Sequence, residues 1–87
     1  MTEKMVTVVN PTGLHLRPAG MLCQTSMKFQ SKILLLYKEK TINAKSVLNV
    51  MASGIKCGDE VTVRCEGPDE AAALEAGCQL IERGLKE

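Results

Sequence analysis

Hydrophobic and polar positions change period several times along the chain, and each change marks an element. Residues 4–9 are rich in β-branched side chains. Val6 and Val8 alternate there with Thr7 and Val9, which predicts a first strand with Val6 and Val8 toward a core. Asn10-Pro11-Thr12-Gly13 interrupts it, because Pro11 has no N–H for a ladder and Gly13 is free to take positive φ. From residue 16 to about 29 the period lengthens. Ala19, Leu22, Cys23, Ser26 and Phe29 recur at three- and four-residue spacing, as in a helix with one buried stripe.

Lys32–Tyr37 and Lys40–Asn43 read as two strands joined by the polar link Lys38-Glu39, which is hairpin spacing. Ser46 has the residue type of an N-cap ahead of Val47-Leu48-Asn49-Val50-Met51-Ala52, and Gly54 is a C-terminal stop, giving a short second helix. Glu60–Glu66 alternates most cleanly, with Val61, Val63 and Cys65 on one face and Thr62, Arg64 and Glu66 on the other. One covered and one wet face is the mark of an antiparallel sheet rather than a buried parallel one. Beyond the turn Gly67-Pro68-Asp69, with Asp69 as cap, Leu74, Cys78, Ile81 and Leu85 form the stripe of a last helix that Gly77 and Gly84 weaken locally. The order βαββαβα, with no repeat or linker, predicts an α+β fold. Its compact solution is an open-faced β-sandwich, a four-stranded antiparallel sheet with three helices on one face, in which residues 1–87 form a single domain.

Composition narrows the picture. Hydrophobic residues make up 45% and charged ones 24%, ordinary for a globular protein and too apolar for disorder. One Phe, one Tyr and no Trp leave an aliphatic core. A formal net charge of +1 makes no electrostatic case for a nucleic-acid or membrane partner. The longest apolar run, residues 33–37, is strand-sized, and Met1-Thr2-Glu3-Lys4 lacks the apolar region of a signal peptide, so a cytoplasmic location is expected. Cys23, Cys57, Cys65 and Cys78 form no C-x-x-C pair and have no nearby histidine. They read as small, buried, reduced hydrophobes, and neither a metal nor a cofactor is expected.

The chemistry centres on Gly13-Leu14-His15-Leu16-Arg17-Pro18-Ala19, which holds the only histidine. A lone histidine is more often structural than chemical, but this one follows a turn instead of lying on an apolar helix face. Pro18 suits the first turn of a helix, which puts His15 at or just before the N-cap. There the first N–H groups lack intrahelical partners and the macrodipole is positive, so an anion carried on the imidazole meets ready donors. Arg17 adds a guanidinium fork matched to phosphate oxygens, and a cation at a helix start opposes the dipole, which favours a functional reading. For Ser46, capping alone is a sufficient explanation, although a phosphate there would lie over free N–H groups beside Lys45. Val47, Leu48, Val50 and Met51 present more apolar surface than one side of a two-turn helix buries. Either all of them reach the core or some form an exposed docking patch.

Gly13-Leu14-His15-Leu16-Arg17-Pro18-Ala19, followed by Lys45-Ser46-Val47-Leu48-Asn49-Val50-Met51-Ala52-Ser53-Gly54, resembles the HPr family, the histidine-containing phosphocarriers of the bacterial sugar phosphotransferase system. The similarity covers essentially the whole chain. It implies a stoichiometric carrier, not an enzyme. Such a carrier takes a phosphoryl group from enzyme I, itself charged by phosphoenolpyruvate, and passes it to enzyme IIA domains of sugar transporters. His15 matches the phosphorylated histidine, which in the family reacts through Nδ1, and Arg17 matches the phosphate-stabilising arginine. Ser46 matches a serine that, in low-GC Gram-positive relatives, an HPr kinase/phosphorylase modifies, impeding the histidine reaction and promoting binding to a catabolite repressor. The alternative is a regulatory binding module controlled through that serine.

Leu16, Gly20, Val47, Leu48 and Met51 fall on the family's docking positions, and a monomer is expected. Leu16 stands in place of a small residue or Thr, Gly20 of a larger side chain, Asn49 of a common glycine and Ser53 of a typical leucine. His15 argues against a regulatory branch that lacks the histidine.

Overall fold

In the computed structural model, which describes residues 1–84, the chain runs β1 (Thr2–Thr7), α1 (Leu16–Ser26), β2 (Lys32–Tyr37), β3 (Lys40–Asn43), α2 (Val47–Ala52), β4 (Glu60–Glu66) and α3 (Glu70–Glu82). The sheet order is β1-β4-β2-β3 and every pair is antiparallel. The last strand lies between the first two, with Thr7 opposite Glu60 and Leu36 opposite Thr62. The three helices cover one face, where Val61, Val63 and Cys65 of β4 meet Leu22 of α1, Val50 of α2 and Ile81 of α3 in a buried aliphatic core. The other face is open, and a 2.9 Å ion pair between Arg64 and Glu3 runs across it.

The hairpin, α2 and β4 have the boundaries their patterns predict. β1 does not: it begins at Thr2 and stops at Thr7, because its ladder to β4 spans Thr2–Thr7. Val8, still buried, bonds the loop before β4 instead, donating to the Asp59 carbonyl at 2.9 Å and accepting from the Gly58 N–H at 2.7 Å. α1 ends at Ser26 rather than near Phe29. Lys28 and Phe29 donate to the Thr25 and Ser26 carbonyls in tighter three-residue turns, and Phe29 packs on the core from outside the helix.

Asp69 stands at the N-cap of α3, its carbonyl accepting the Ala73 N–H at 2.9 Å, but its side chain makes no cap hydrogen bond. Its carboxylate reaches across to the turn before β2, accepting the Gln30 and Ser31 N–H groups at 2.9 Å each and the Ser31 hydroxyl. Glu70 takes over the helix start, accepting from the Gly67 N–H at 3.2 Å and pairing with the Met1 amino group. Of the predicted stripe, Cys78 and Ile81 are buried and Leu74 is half-buried, while Leu85 lies outside the described residues. Gly77 is buried against Val63, and Gly84 lies beyond the helix. The cysteines also divide. Cys65 and Cys78 are buried, and burial pushes the Cys65 thiol up to about 11. Cys23 is half-buried and donates to the Lys45 carbonyl, and Cys57 is exposed, contrary to the expectation that all four are core residues.

Hydrogen bonds from the Ser31 hydroxyl and from the Gln30 and Ser31 backbone hold the Asp69 carboxyl below its ordinary 3.8. A folded-state value below the unfolded one means that the stabilisation is complete above the unfolded value and is lost as pH falls through the folded one. Asp69→Asn is therefore expected to lower the urea midpoint at neutral pH, with the gap to the unsubstituted chain shrinking by about pH 2. Urea titrations followed by circular dichroism at both pH values check this, and a gap of constant size counts against it.

Candidate functional site

Because β1 and β4 are antiparallel, the loop leaving one and the loop entering the other meet at the same end of the sheet. The Leu14 N–H donates to the Ile55 carbonyl at 3.2 Å. Just before it, Gly13 takes φ +68, and a Cβ built there would lie 2.6 Å from the Ile55 oxygen and 3.0 Å from the Lys56 Cα. Only glycine satisfies both the backbone angle and the approach. Asn10 closes the turn, its side-chain amide donating to the Gly13 carbonyl and its own carbonyl accepting the Gly13 N–H. Leu14 is buried, so the chain is pinned immediately before the histidine.

His15 is the N-cap of α1. Its backbone is extended, with φ −80 and ψ −167, and its carbonyl accepts the Ala19 N–H at 2.8 Å. The imidazole takes no part in capping and is exposed. The N–H groups of Leu16 and Arg17 have no intrahelical acceptor, Pro18 has no N–H, and the first turn holds no acidic residue. Among the described residues the Arg17 guanidinium makes no hydrogen bond or ion pair. The imidazole thus stands at a positive helix end whose donors, like the guanidinium two residues on, are uncommitted. It borders a shallow hollow of about 110 Å³ walled by Leu14, His15, Met51, Gly54, Ile55 and Lys56.

The other predicted residues lie on α1 and α2, which pack against each other. Ser46 caps α2 as its residue type implies, accepting the Asn49 N–H on Oγ at 3.3 Å. The ammonium of the preceding Lys45 is committed elsewhere, donating to the Phe29 carbonyl at 2.7 Å. Complete burial of α2 is excluded. Val50 is in the core and Val47 half-buried, but Leu48 is 78% and Met51 40% exposed, as is 64% of Leu16 on α1. Around Gly20 a Cβ would meet nothing within 4 Å, so α1 has open ground there. Of these residues only Met51 shares the hollow with His15.

Sequence reasoning missed Lys56. Its loop is held by Asp59, whose Oδ2 accepts the Tyr37 hydroxyl at 2.6 Å and the Lys56 N–H at 2.9 Å. These bonds, the Tyr37 one foremost, keep the Asp59 carboxyl below its ordinary 3.8, and the tyrosine is raised in return. The one signal in the sequence was Gly13, a glycine where two backbones approach.

An exposed imidazole on a pinned helix start, with free donors and no enclosing pocket, defines a small surface carrier of anionic groups. A family model described as the PTS HPr component phosphorylation site matches residues 2–83. The phosphocarrier protein HPr of Treponema pallidum (strain Nichols) is 42% identical over 87 residues, covering 100% of this chain and 99% of that protein. The structure of HPr-C-His from Thermoanaerobacter tengcongensis is similar with a TM-score of 0.93 at 40% identity, covering 100% of this chain and 99% of that one. Crh, a catabolite-repression protein of Bacillus subtilis solved as a domain-swapped dimer, is similar at a TM-score of 0.79 and 33% identity, with 100% of both chains covered. The chain belongs to the HPr family, the phosphocarriers of the phosphotransferase system.

The two glycines flanking His15 are expected to respond oppositely to alanine. Gly13→Ala meets both positive φ and the Ile55 carbonyl, and should destabilise by at least about 1–3 kcal/mol. Gly20→Ala enters open space inside a helix and should stabilise by about 0.5–1 kcal/mol. Urea midpoints at constant m-value measure both.

Proposed function

We propose that residues 1–87 act as a single HPr-like domain in which His15 accepts a phosphoryl group from enzyme I and delivers it to enzyme IIA domains. The observation that carries this reading is the exposed imidazole at the N-cap of α1, unused for capping and beside the free N–H groups of Leu16 and Arg17. In its neutral form the ring attacks the phosphorus of the donor phosphohistidine in line. The new N–P bond forms as the donor N–P bond breaks, and the donor imidazole departs with the electron pair. Attack through Nδ1 follows from membership of the family. The first-turn donors and the Arg17 guanidinium stabilise charge on the transferring oxygens. The hollow is shallow, which suits a group that must leave again.

As a stoichiometric carrier the chain is not an enzyme, and it works in the cytoplasm as a monomer. Leu16, Val47, Leu48 and Met51 supply apolar docking surface, with Gly20 an open site beside them. Likeness to Crh favours a second role, in which phosphorylation of Ser46 by an HPr kinase/phosphorylase regulates the carrier and its binding to a catabolite repressor. There the modification esterifies the oxygen that now accepts from the Asn49 N–H.

Incubation with phosphoenolpyruvate and enzyme I is expected to give an acid-labile label on His15. His15→Ala should abolish it, and Arg17→Ala should slow its formation on the order of 10²-fold. Persistent labelling of the histidine variant would exclude His15 as the acceptor. An ATP-dependent, acid-stable label lost in Ser46→Ala separates the regulatory role.

A further inference from the structure

The positive charge at the histidine is not confined to α1. Lys56 walls the same hollow as His15, on the loop entering β4. Its Cα lies against Gly13, which is two residues and at most about 7 Å of chain from His15. Hydrogen bonds hold this loop in place. The Lys56 N–H and the Tyr37 hydroxyl bind the Asp59 carboxylate, the Asp59 N–H returns to the Lys56 carbonyl at 3.0 Å, and Gly58 donates to Val8. The lysine stem therefore starts from a fixed point and spends its freedom only in its side chain.

Neighbouring cations are otherwise engaged. Lys40 donates to the Ser53 carbonyl at 3.2 Å, and Lys38 lies over the Tyr37 ring at 5.2 Å. Among the described residues the Lys56 ammonium has no hydrogen bond or ion pair. The Asp59 carboxylate near it already accepts two hydrogen bonds on Oδ2.

We propose that Lys56 is a second phosphate-contacting cation of this site, pairing with the phosphoryl group on His15 from the β4 loop while Arg17 serves it from α1. An ammonium on a flexible stem suits this, because it follows the group without the fixed geometry of a guanidinium fork. The proposal rests on His15 being the phosphoryl acceptor.

The test uses the phosphorylated chain alone, so that no partner protein contributes. The unsubstituted chain, Lys56→Met, Lys56→Arg and the control Lys38→Met are charged with phosphoenolpyruvate and enzyme I. They are checked for native circular dichroism and titrated by ³¹P NMR. Losing that cation should raise the titration midpoint of the phosphoryl group by about half a pH unit in Lys56→Met. Lys56→Arg should restore the midpoint and Lys38→Met should leave it unchanged. Equal midpoints in the unsubstituted chain and Lys56→Met overturn the proposal. So does a variant whose only defect is a raised KM with enzyme I, since Lys56 would then serve protein docking. If the unsubstituted chain takes no label on His15, the carrier reading itself fails. A labelled chain with an unmoved midpoint removes only Lys56.

Discussion

The pairing of β4 between β1 and β2 is the constraint on which the rest of the molecule depends. An antiparallel partner must begin where its neighbour ends, so Glu60 faces Thr7 and the start of β4 lies at the end of β1. The same rule brings the end of β2 there, which lets Tyr37 reach Asp59. Three segments far apart in sequence, the turn after β1, the loop before β4 and the end of β2, thus share one end of the sheet. The histidine stands where the first two of them meet.

That placement separates function from stability. Residues that hold the fold, such as Leu22, Leu35, Val63 and Ile81, are buried between sheet and helices. Those for which chemical or docking roles are proposed lie outside. His15 needs its backbone fixed and its side chain free, and it obtains both by serving as N-cap with its carbonyl alone. Leu16, Leu48 and Met51 keep apolar surface in water that the core has no room for. A group carrier gains from this division because a phosphoryl that is held loosely, in the open, is available to successive partners. The orphan donors of a helix start supply charge stabilisation without enclosing it.

The elements read correctly from sequence were those whose determinants are local. Strict alternation in Glu60–Glu66, the two-residue link between Lys32–Tyr37 and Lys40–Asn43, and a serine ahead of an apolar run each act within a few residues. His15 was legible for the same reason, since Pro18 and the preceding turn define a helix start. The misread residues have remote partners. β1 is two residues out of place at each end because its limits are set by β4, about sixty positions later. Asp69 stands at the N-cap its residue type predicts but spends its carboxylate on Gln30 and Ser31, and the Lys45 ammonium is committed to Phe29. Cys57 resembles the buried cysteines in composition alone, and its exposure follows from a loop position that no periodicity records.

The sequence by itself determined the element order, the one-sided core and the presence of a nucleophile at a positive helix end, because period, cap chemistry and the macrodipole operate over a turn or two of chain. Tertiary structure alone decided what surrounds that nucleophile. The close approach at Gly13 and the arrival of Met51 and Lys56 at the hollow depend on strand pairing between distant segments. Such contacts are set by the register of the whole sheet, and no local pattern encodes which two loops a sheet will bring together.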